Sequence, residues 1–70
     1  MTREHALQAM IDGEKVTNPY FTDDEYIYMM NNHIWSEDGY NFGTVNDEFW
    51  QAKVNNQSFD DNWWIYTGEE

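Results

Sequence analysis

The density of aromatic side chains is the feature that most constrains what this chain can fold into. Thirteen of its seventy residues are Phe, Trp or Tyr, although the mean hydropathy is only −0.94. Disordered acidic segments contain few aromatic residues, and one buried ring removes roughly 150–250 Å² from water. A domain of this length hides only about 60% of the surface that its unfolded chain exposes. The sequence therefore predicts one small folded domain, residues 1–70, with a core made largely of rings.

The net charge of −11 arises from fourteen Asp and Glu residues against three Lys and Arg. Proteins hold nucleic-acid phosphates through clustered cations, so we expect no direct nucleic-acid binding, and an anionic membrane would also repel the chain. Met1 is followed by charged residues and no long apolar run occurs, which predicts neither a spanning helix nor a signal peptide. We therefore expect a cytoplasmic protein. The absence of cysteine excludes disulfides, thiolate zinc sites and thiol nucleophiles.

The first thirteen residues have a helical pattern. Thr2 belongs to the residue types that cap helix N-termini, and Gly13 is a typical stop. Between them, four apolar side chains recur with helical spacing and polar side chains occupy the remaining positions. These apolar residues are Ala6, Leu7, Met10 and Ile11. The pattern predicts a helix over about residues 2–12.

The rest of the chain favours short strands. Tyr26 to Met30 is rich in strand-forming residues, and both Asn31-Asn32 and Asp38-Gly39 are typical two-residue hairpin turns. The predicted strands are 26–30, 33–36, 40–42 and 63–66, and a short helix follows Asn46, its candidate N-cap, with Asp47 and Glu48 in the first turn. The predicted fold class is α+β, with one N-terminal helix packed on a small antiparallel sheet of three to four strands and a second short helix.

Few side chains in this sequence suit catalysis or metal binding. Ser36 and Ser58 lie in no recognisable triad context, and His5 and His33 are expected to be ordinary surface or edge residues. A calcium-binding loop requires acids at alternate positions around a glycine, and neither Gly39 nor Gly43 fits that register. We therefore expect a protein that is not an enzyme and has no cofactor or metal site.

The acidic residues are grouped in pairs and one triplet at predicted turns or element ends. The useful charge for a small soluble domain is about 2 to 8 in magnitude, and −11 exceeds it. The groups are Asp23-Asp24-Glu25, Glu37-Asp38, Asp47-Glu48, Asp60-Asp61 and Glu69-Glu70. One interpretation is that turns favour Asp and solubility requires charge. The other is that several turns meet at one edge and form a surface that imitates a nucleic-acid backbone, with the first four groups binding a partner.

Exposed rings near the acids would supply further contacts, because Trp and Tyr dominate many binding surfaces. We expect Trp35, Tyr40 and Trp63 to be such contact residues. Trp63 and Trp64 are adjacent on a predicted strand and must point to opposite faces. We expect Trp64 to be the core residue of the two and Trp63 to be available to a partner.

Three segments of this chain resemble a known family of small phage proteins. The segments are His5-Ala6-Leu7-Gln8-Ala9-Met10 followed by Gly13-Glu14-Lys15-Val16, then Glu25-Tyr26-Ile27-Tyr28, and finally Asp60-Asp61-Asn62-Trp63-Trp64-Ile65. Together they resemble the frame of the second Thoeris anti-defence type. That resemblance implies a compact, often oligomeric α+β subunit that sequesters nucleotide-derived immune signals, with relatives assigned as anti-CRISPR proteins. Tyr20-Phe21-Thr22-Asp23 stands where the family has a G-W-N-G segment, so the resemblance supplies no ligand-binding residue.

These observations favour a small phage-encoded inhibitor. Its expected partner is a host nucleic-acid-handling protein with a basic groove, occupied by an acidic face that imitates DNA or RNA. One alternative is a counter-defence sponge for a cyclic nucleotide, for which Arg3, Lys15 and Lys53 are the only cations. Another is a non-enzymatic structural phage protein that oligomerises, and the sequence leaves a homo-oligomer open.

Overall fold

The computed structural model describes residues 1–68 as two α-helices, one 3₁₀ helix and five short strands. The predicted α+β class is confirmed, with one strand more than the three to four expected. In chain order the elements are α1 (Arg3–Ile11), β1 (Val16–Thr17), β2 (Ile27–Met30), β3 (His33–Ser36), β4 (Asn41–Gly43), α2 (Glu48–Val54), the 3₁₀ helix (Gln57–Phe59) and β5 (Trp64–Ile65).

Helix α1 forms as its sequence predicts. The Thr2 hydroxyl accepts a hydrogen bond from the His5 N–H at 3.2 Å, which satisfies one of the free donors at the helix start. Gly13 follows the helix with a φ of +98°, a conformation that side chains with a Cβ rarely adopt. Ala6 and Met10 are buried, whereas Ile11 at the end of the helix is 58% exposed.

The five strands form one antiparallel sheet in the order β4-β3-β2-β1-β5. The turn between β2 and β3 is Asn31-Asn32, and both residues have positive φ values of 55° and 67°. These values match a type I′ turn, whose twist suits a two-residue hairpin. The prediction of that hairpin is therefore confirmed.

The helices cover one face of this sheet. Val16, Ile27 and Ile34 point to the covered face and are buried together with Trp50 and Trp63. Their neighbours along each strand point the opposite way because side chains alternate along a strand. Helix α1 packs on β1, β2 and β5, and α2 packs on β4. We call the sheet face away from both helices the open face.

The chain closes where residues 60–63 lie beside the N-terminus, and we call residues 1–3 and 60–63 the N-terminal corner. The Met1 amine donates to the Trp63 carbonyl oxygen at 2.6 Å, and the Trp63 N–H donates to the Met1 carbonyl oxygen at 3.0 Å. The Arg3 N–H donates to the Asp60 carbonyl oxygen at 2.9 Å. These backbone pairs extend the outer edge of β5 by a short stretch.

Several predicted details were wrong. Helix α2 begins at Glu48, and its N-cap residue is Asp47 instead of the expected Asn46. Strand β1 was not predicted, because two residues between a glycine turn and Asn18-Pro19 are too short to show alternation. Trp63 is only 1% exposed and Trp64 is 49% exposed, which reverses the expected burial of this pair. Within residues 1–68, no helix has the length and apolar character needed to cross a membrane.

Candidate functional site

Three of the acidic groups lie at one end of the sheet. Ile27 at the start of β2 pairs with Ser36 at the end of β3, so residues 23–25 and 37–38 leave the sheet at the same end. Strand β1 is antiparallel to both β2 and β5. Residues 60–61, which precede β5, therefore lie at the end where β2 begins. We call this end of the sheet, with residues 23–25, 37–38 and 60–61, the acidic end.

The fourth acidic group lies elsewhere. Strand β4 runs in the same direction as β2, since both are antiparallel to β3. Asp47 and Glu48 follow β4 and therefore lie at the opposite end, as do Asp12 and Glu14, which precede β1. The predicted convergence thus covers three groups of the four that were expected to bind a partner. The remaining pair, Glu69-Glu70, lies outside the described residues.

The acids of the N-terminal corner are paired with cations. The Asp60 carboxylate accepts from the Arg3 guanidinium at 2.7 Å, and the Arg3 side chain is only 13% exposed. Arg3 also contacts the Glu4 carboxylate at 3.1 Å and donates to the Lys53 carbonyl oxygen at 3.3 Å. The Asp61 carboxylate lies 3.8 Å from the N-terminal amine. Asp60 therefore contributes to the fold, and nearby cations partly neutralise the charge of both Asp60 and Asp61.

Three other acids hold turns through hydrogen bonds. The Glu25 carboxylate accepts from the Thr22 N–H at 2.7 Å, and the Asp38 carboxylate accepts from the Ser36 hydroxyl. The Asp47 carboxylate accepts from the Thr44 N–H at 2.8 Å. Gly43 has a φ of +87°, and a Cβ there would collide with the Asp47 carboxylate. The positions of these three side chains are therefore explained by the turns they stabilise.

Five other acids have no such structural role. Among residues 1–68, Glu14, Asp23, Asp24, Glu37 and Glu48 make no side-chain hydrogen bond or ion pair, and all five are exposed. Asp23, Asp24 and Glu37 share the acidic end, and we call them the unpaired acids. An exposed carboxylate with no internal partner adds nothing to folding and is free to pair with an external cation.

The three rings that the sequence predicted as contacts have different surroundings. Tyr40 is 64% exposed and follows the turn at the acidic end, with its ring centroid 5.0 Å from that of Phe42. Trp35 is half-buried on the open face, and its indole N–H donates to the Met30 carbonyl oxygen at 3.2 Å. The prediction for Trp63 was wrong, because its ring is buried in the core and its indole N–H donates to the Phe59 carbonyl oxygen at 2.8 Å.

The open face carries a group of rings that the sequence analysis did not identify. Tyr26 and Tyr66 stack with centroids 4.6 Å apart, and Tyr28 lies 6.2 Å from Tyr26. Tyr28 is paired across the sheet with Trp35, and Trp64 with Thr17. The signal was present as alternation, with Tyr at 26 and 28 and rings at 64 and 66. This face therefore presents aromatic surface next to the acidic end.

All three cationic side chains are engaged within the fold. Arg3 is paired as described, and the Lys15 ammonium lies 5.0 Å from the Tyr26 ring centroid. The Lys53 ammonium lies 4.2 Å from the Phe49 centroid and 4.6 Å from the Phe59 centroid. Burial of Lys53 lowers its pKa from the ordinary value of 10.5, because desolvation disfavours the ammonium form.

Comparisons with known proteins add no assignment to this geometry. No protein-family model matches the sequence, and neither a curated protein nor a solved structure shows significant similarity to it. Within residues 1–68, no group of three or more His, Asp or Glu side chains is arranged to hold a metal ion. The arrangement that distinguishes the molecule is therefore the acidic end beside the aromatic open face.

Proposed function

We propose that this chain is a small, non-enzymatic inhibitor, encoded by a phage, that occupies the basic groove of a host nucleic-acid-handling protein. The unpaired acids at the acidic end would take the place of the phosphates of DNA or RNA. The observation that carries the proposal is that Asp23, Asp24 and Glu37 lie at one end of the sheet and pair with no cation among residues 1–68.

The electrostatics of a small acidic protein support this function. The net charge of −11 belongs to a molecule with a Cα radius of gyration of only 10.9 Å, so the field at its surface is strong. Oppositely charged surfaces attract over about one Debye length, roughly 8 Å at physiological salt. Such steering raises association rates by about 10- to 1000-fold and weakens as salt increases. The inhibitor would thus compete with nucleic acid for the same groove by the same force.

Capture of a nucleotide signal, the alternative from the sequence, has less support. An anionic nucleotide requires cationic or other donor groups that converge on one pocket. Arg3 is bound to Asp60, and Lys15 and Lys53 each lie against aromatic rings. A thermal-shift series with cyclic and linear nucleotides tests this alternative, and no stabilisation by any nucleotide is the result that our proposal expects.

Two matched variants test the proposed acidic end. The acid-end variant carries Asp23→Asn, Asp24→Asn and Glu37→Gln. The opposite-end control carries Asp12→Asn, Glu14→Gln and Glu48→Gln. Each removes three negative charges from the same total of −11, so any difference between them depends on position.

The experiment has a capture step and a competition step. Partners are captured from host cells and identified by mass spectrometry, and fluorescence anisotropy then follows displacement of an oligonucleotide from the purified partner. We expect wild type and the opposite-end control to displace the oligonucleotide, and the acid-end variant to require at least about tenfold more protein. Equal displacement by the two variants would contradict the proposal.

A further inference from the structure

The open face ends in a pocket beside the acidic end. The pocket has a volume of about 220 Å³ and is lined by residues 17–19, 21–23 and 64–67. The half-exposed residue Trp64 and Asp23, one of the unpaired acids, both line it. Thr22 and Thr67 are also among the lining residues. A carboxylate beside an accessible indole is the combination that binds organic cations.

We propose that this pocket receives an arginine side chain of the partner, with its guanidinium stacked on Trp64 and paired with Asp23. The inference rests on the proposed function and adds the chemical group that the partner must present. The acidic end then attracts the groove, and the pocket recognises one arginine within it.

The open face itself shows that its rings accept cations. The Lys15 ammonium lies 5.0 Å from the centroid of the Tyr26 ring, which in turn stacks on Tyr66, a residue that lines the pocket. Asp23 lines the pocket and no Lys or Arg does, so the charge of the lining favours a cation over an anion. Arginine fits better than lysine, because a planar guanidinium can stack on an indole and still donate two hydrogen bonds to a carboxylate.

A second copy of this chain does not supply the occupant. The only arginine is Arg3, whose side chain is 13% exposed and bound to Asp60 and Glu4. Two copies would also bring two charges of −11 together, which opposes association. The pocket therefore suits a different protein with an exposed arginine, as a groove that binds phosphates has.

Nuclear magnetic resonance titrations with two short peptides test the pocket without the natural partner. One peptide is oligoarginine and the other is oligolysine of equal length and charge. The variants are Trp64→Leu, which keeps an apolar strand residue but removes the ring, and Tyr20→Leu as the control. Tyr20 is 66% exposed and does not line the pocket.

We expect oligoarginine to bind more tightly than oligolysine and to shift the Trp64 indole N–H resonance. Trp64→Leu should weaken oligoarginine binding by about five- to thirtyfold and oligolysine binding much less, as expected for a desolvated cation–π contact. Tyr20→Leu should bind both peptides as wild type does. If Trp64→Leu does not fold, Asp23→Asn gives the same test, and it should reduce the preference for oligoarginine.

These experiments can contradict the arginine pocket and the proposed function of the acidic end separately. Equal affinities for the two peptides, with no effect of either pocket substitution, would overturn the arginine pocket. If the acid-end variant nevertheless loses displacement in the competition assay, the proposed function stands without the pocket. If neither that variant nor Trp64→Leu changes displacement, both proposals are wrong.

Discussion

The N-terminal corner and the unpaired acids lie at the same end of the sheet, but they use negative charge in different ways. In the corner, the Asp60 carboxylate is 2.7 Å from Arg3 and belongs to a set of contacts that closes the fold. Asp23, Asp24 and Glu37 have no partner among residues 1–68. The comparison separates acids that stabilise the domain from acids that remain available to another molecule.

The difference between these two regions depends on where the few cations lie. Arg3 reaches Asp60 from 57 positions away in the chain, and the N-terminal amine reaches Asp61 in the same corner. Lys15 and Lys53 lie against rings and neutralise none of the unpaired acids. With only three Lys and Arg in the chain, pairing in one region leaves the other region negative.

The largest expected effect comes from the adjacent tryptophans of the corner and the pocket. Trp63→Ala should lower the free energy of unfolding by about 3–5 kcal/mol, because it empties a buried ring site. Trp64→Ala should cost at most about 1 kcal/mol, since its ring is half-exposed. Urea denaturation followed by circular dichroism measures both. Equal losses would show that the corner is not the stabilising region.

The next prediction concerns the ion pair of the corner. Asp60→Asn should cost about 1 kcal/mol, because the mostly buried Arg3 loses its charged partner while the exposed side of Asp60 limits the effect. Asp61→Asn is the control, and its carboxylate is 64% exposed at 3.8 Å from the amine. Denaturation should therefore show a clear loss of stability for Asp60→Asn and little change for Asp61→Asn. A larger loss of stability for Asp61→Asn than for Asp60→Asn would contradict the stabilising role of the Arg3–Asp60 pair.

The acid-end variant should change stability in the opposite direction. Removing Asp23, Asp24 and Glu37 charges breaks no internal contact and reduces repulsion, so stability should stay constant or rise by a few tenths of a kcal/mol. Added salt should stabilise wild type more than the variant, because screening matters less when fewer charges repel. Thermal denaturation at low and high salt measures the difference. A marked loss of stability would mean that these acids do have a structural role.

The smallest effect concerns Lys53, whose carbonyl oxygen accepts from Arg3 at the margin of the corner. Burial lowers its pKa below 10.5, so the unfolded chain binds more protons than the folded one between the lowered pKa and 10.5. The contribution of Lys53 to stability should therefore rise with pH across that window. Comparing wild type with Lys53→Met isolates this contribution, and a titration of the Lys53 side chain by nuclear magnetic resonance gives the pKa directly. A pKa above 10.5 would contradict the burial.

The sequence predicted the parts of the fold that depend on local signals. Thr2 does cap α1, and Asn31-Asn32 does form the hairpin turn. Strand β1 was not predicted, because its two residues form a strand through pairing with β2 and β5 and show no strand pattern of their own. Which of Trp63 and Trp64 is buried depends on the side of the sheet that the helices cover, and alternation alone does not decide that.

The sequence predicted which residue types form the candidate site, but it did not predict how they are arranged in space. The acidic groups and their positions at turns are visible in the chain, but their meeting at one end follows from the strand order. The pairing of Asp60 with Arg3 joins opposite ends of the sequence, so it required the fold. The open face was present as alternating rings at 26, 28, 64 and 66, and identifying it required knowing that both helices of residues 1–68 pack on the other side.

The most direct test of the division between paired and unpaired acids is the association rate constant with the captured partner, measured by stopped flow at increasing ionic strength. Wild type and the opposite-end control should associate rapidly at low salt and slow steeply as salt rises. The acid-end variant should associate roughly tenfold more slowly at low salt and depend less on salt. Identical rates and salt dependence for the two triple variants would contradict the account, because only total charge would then matter.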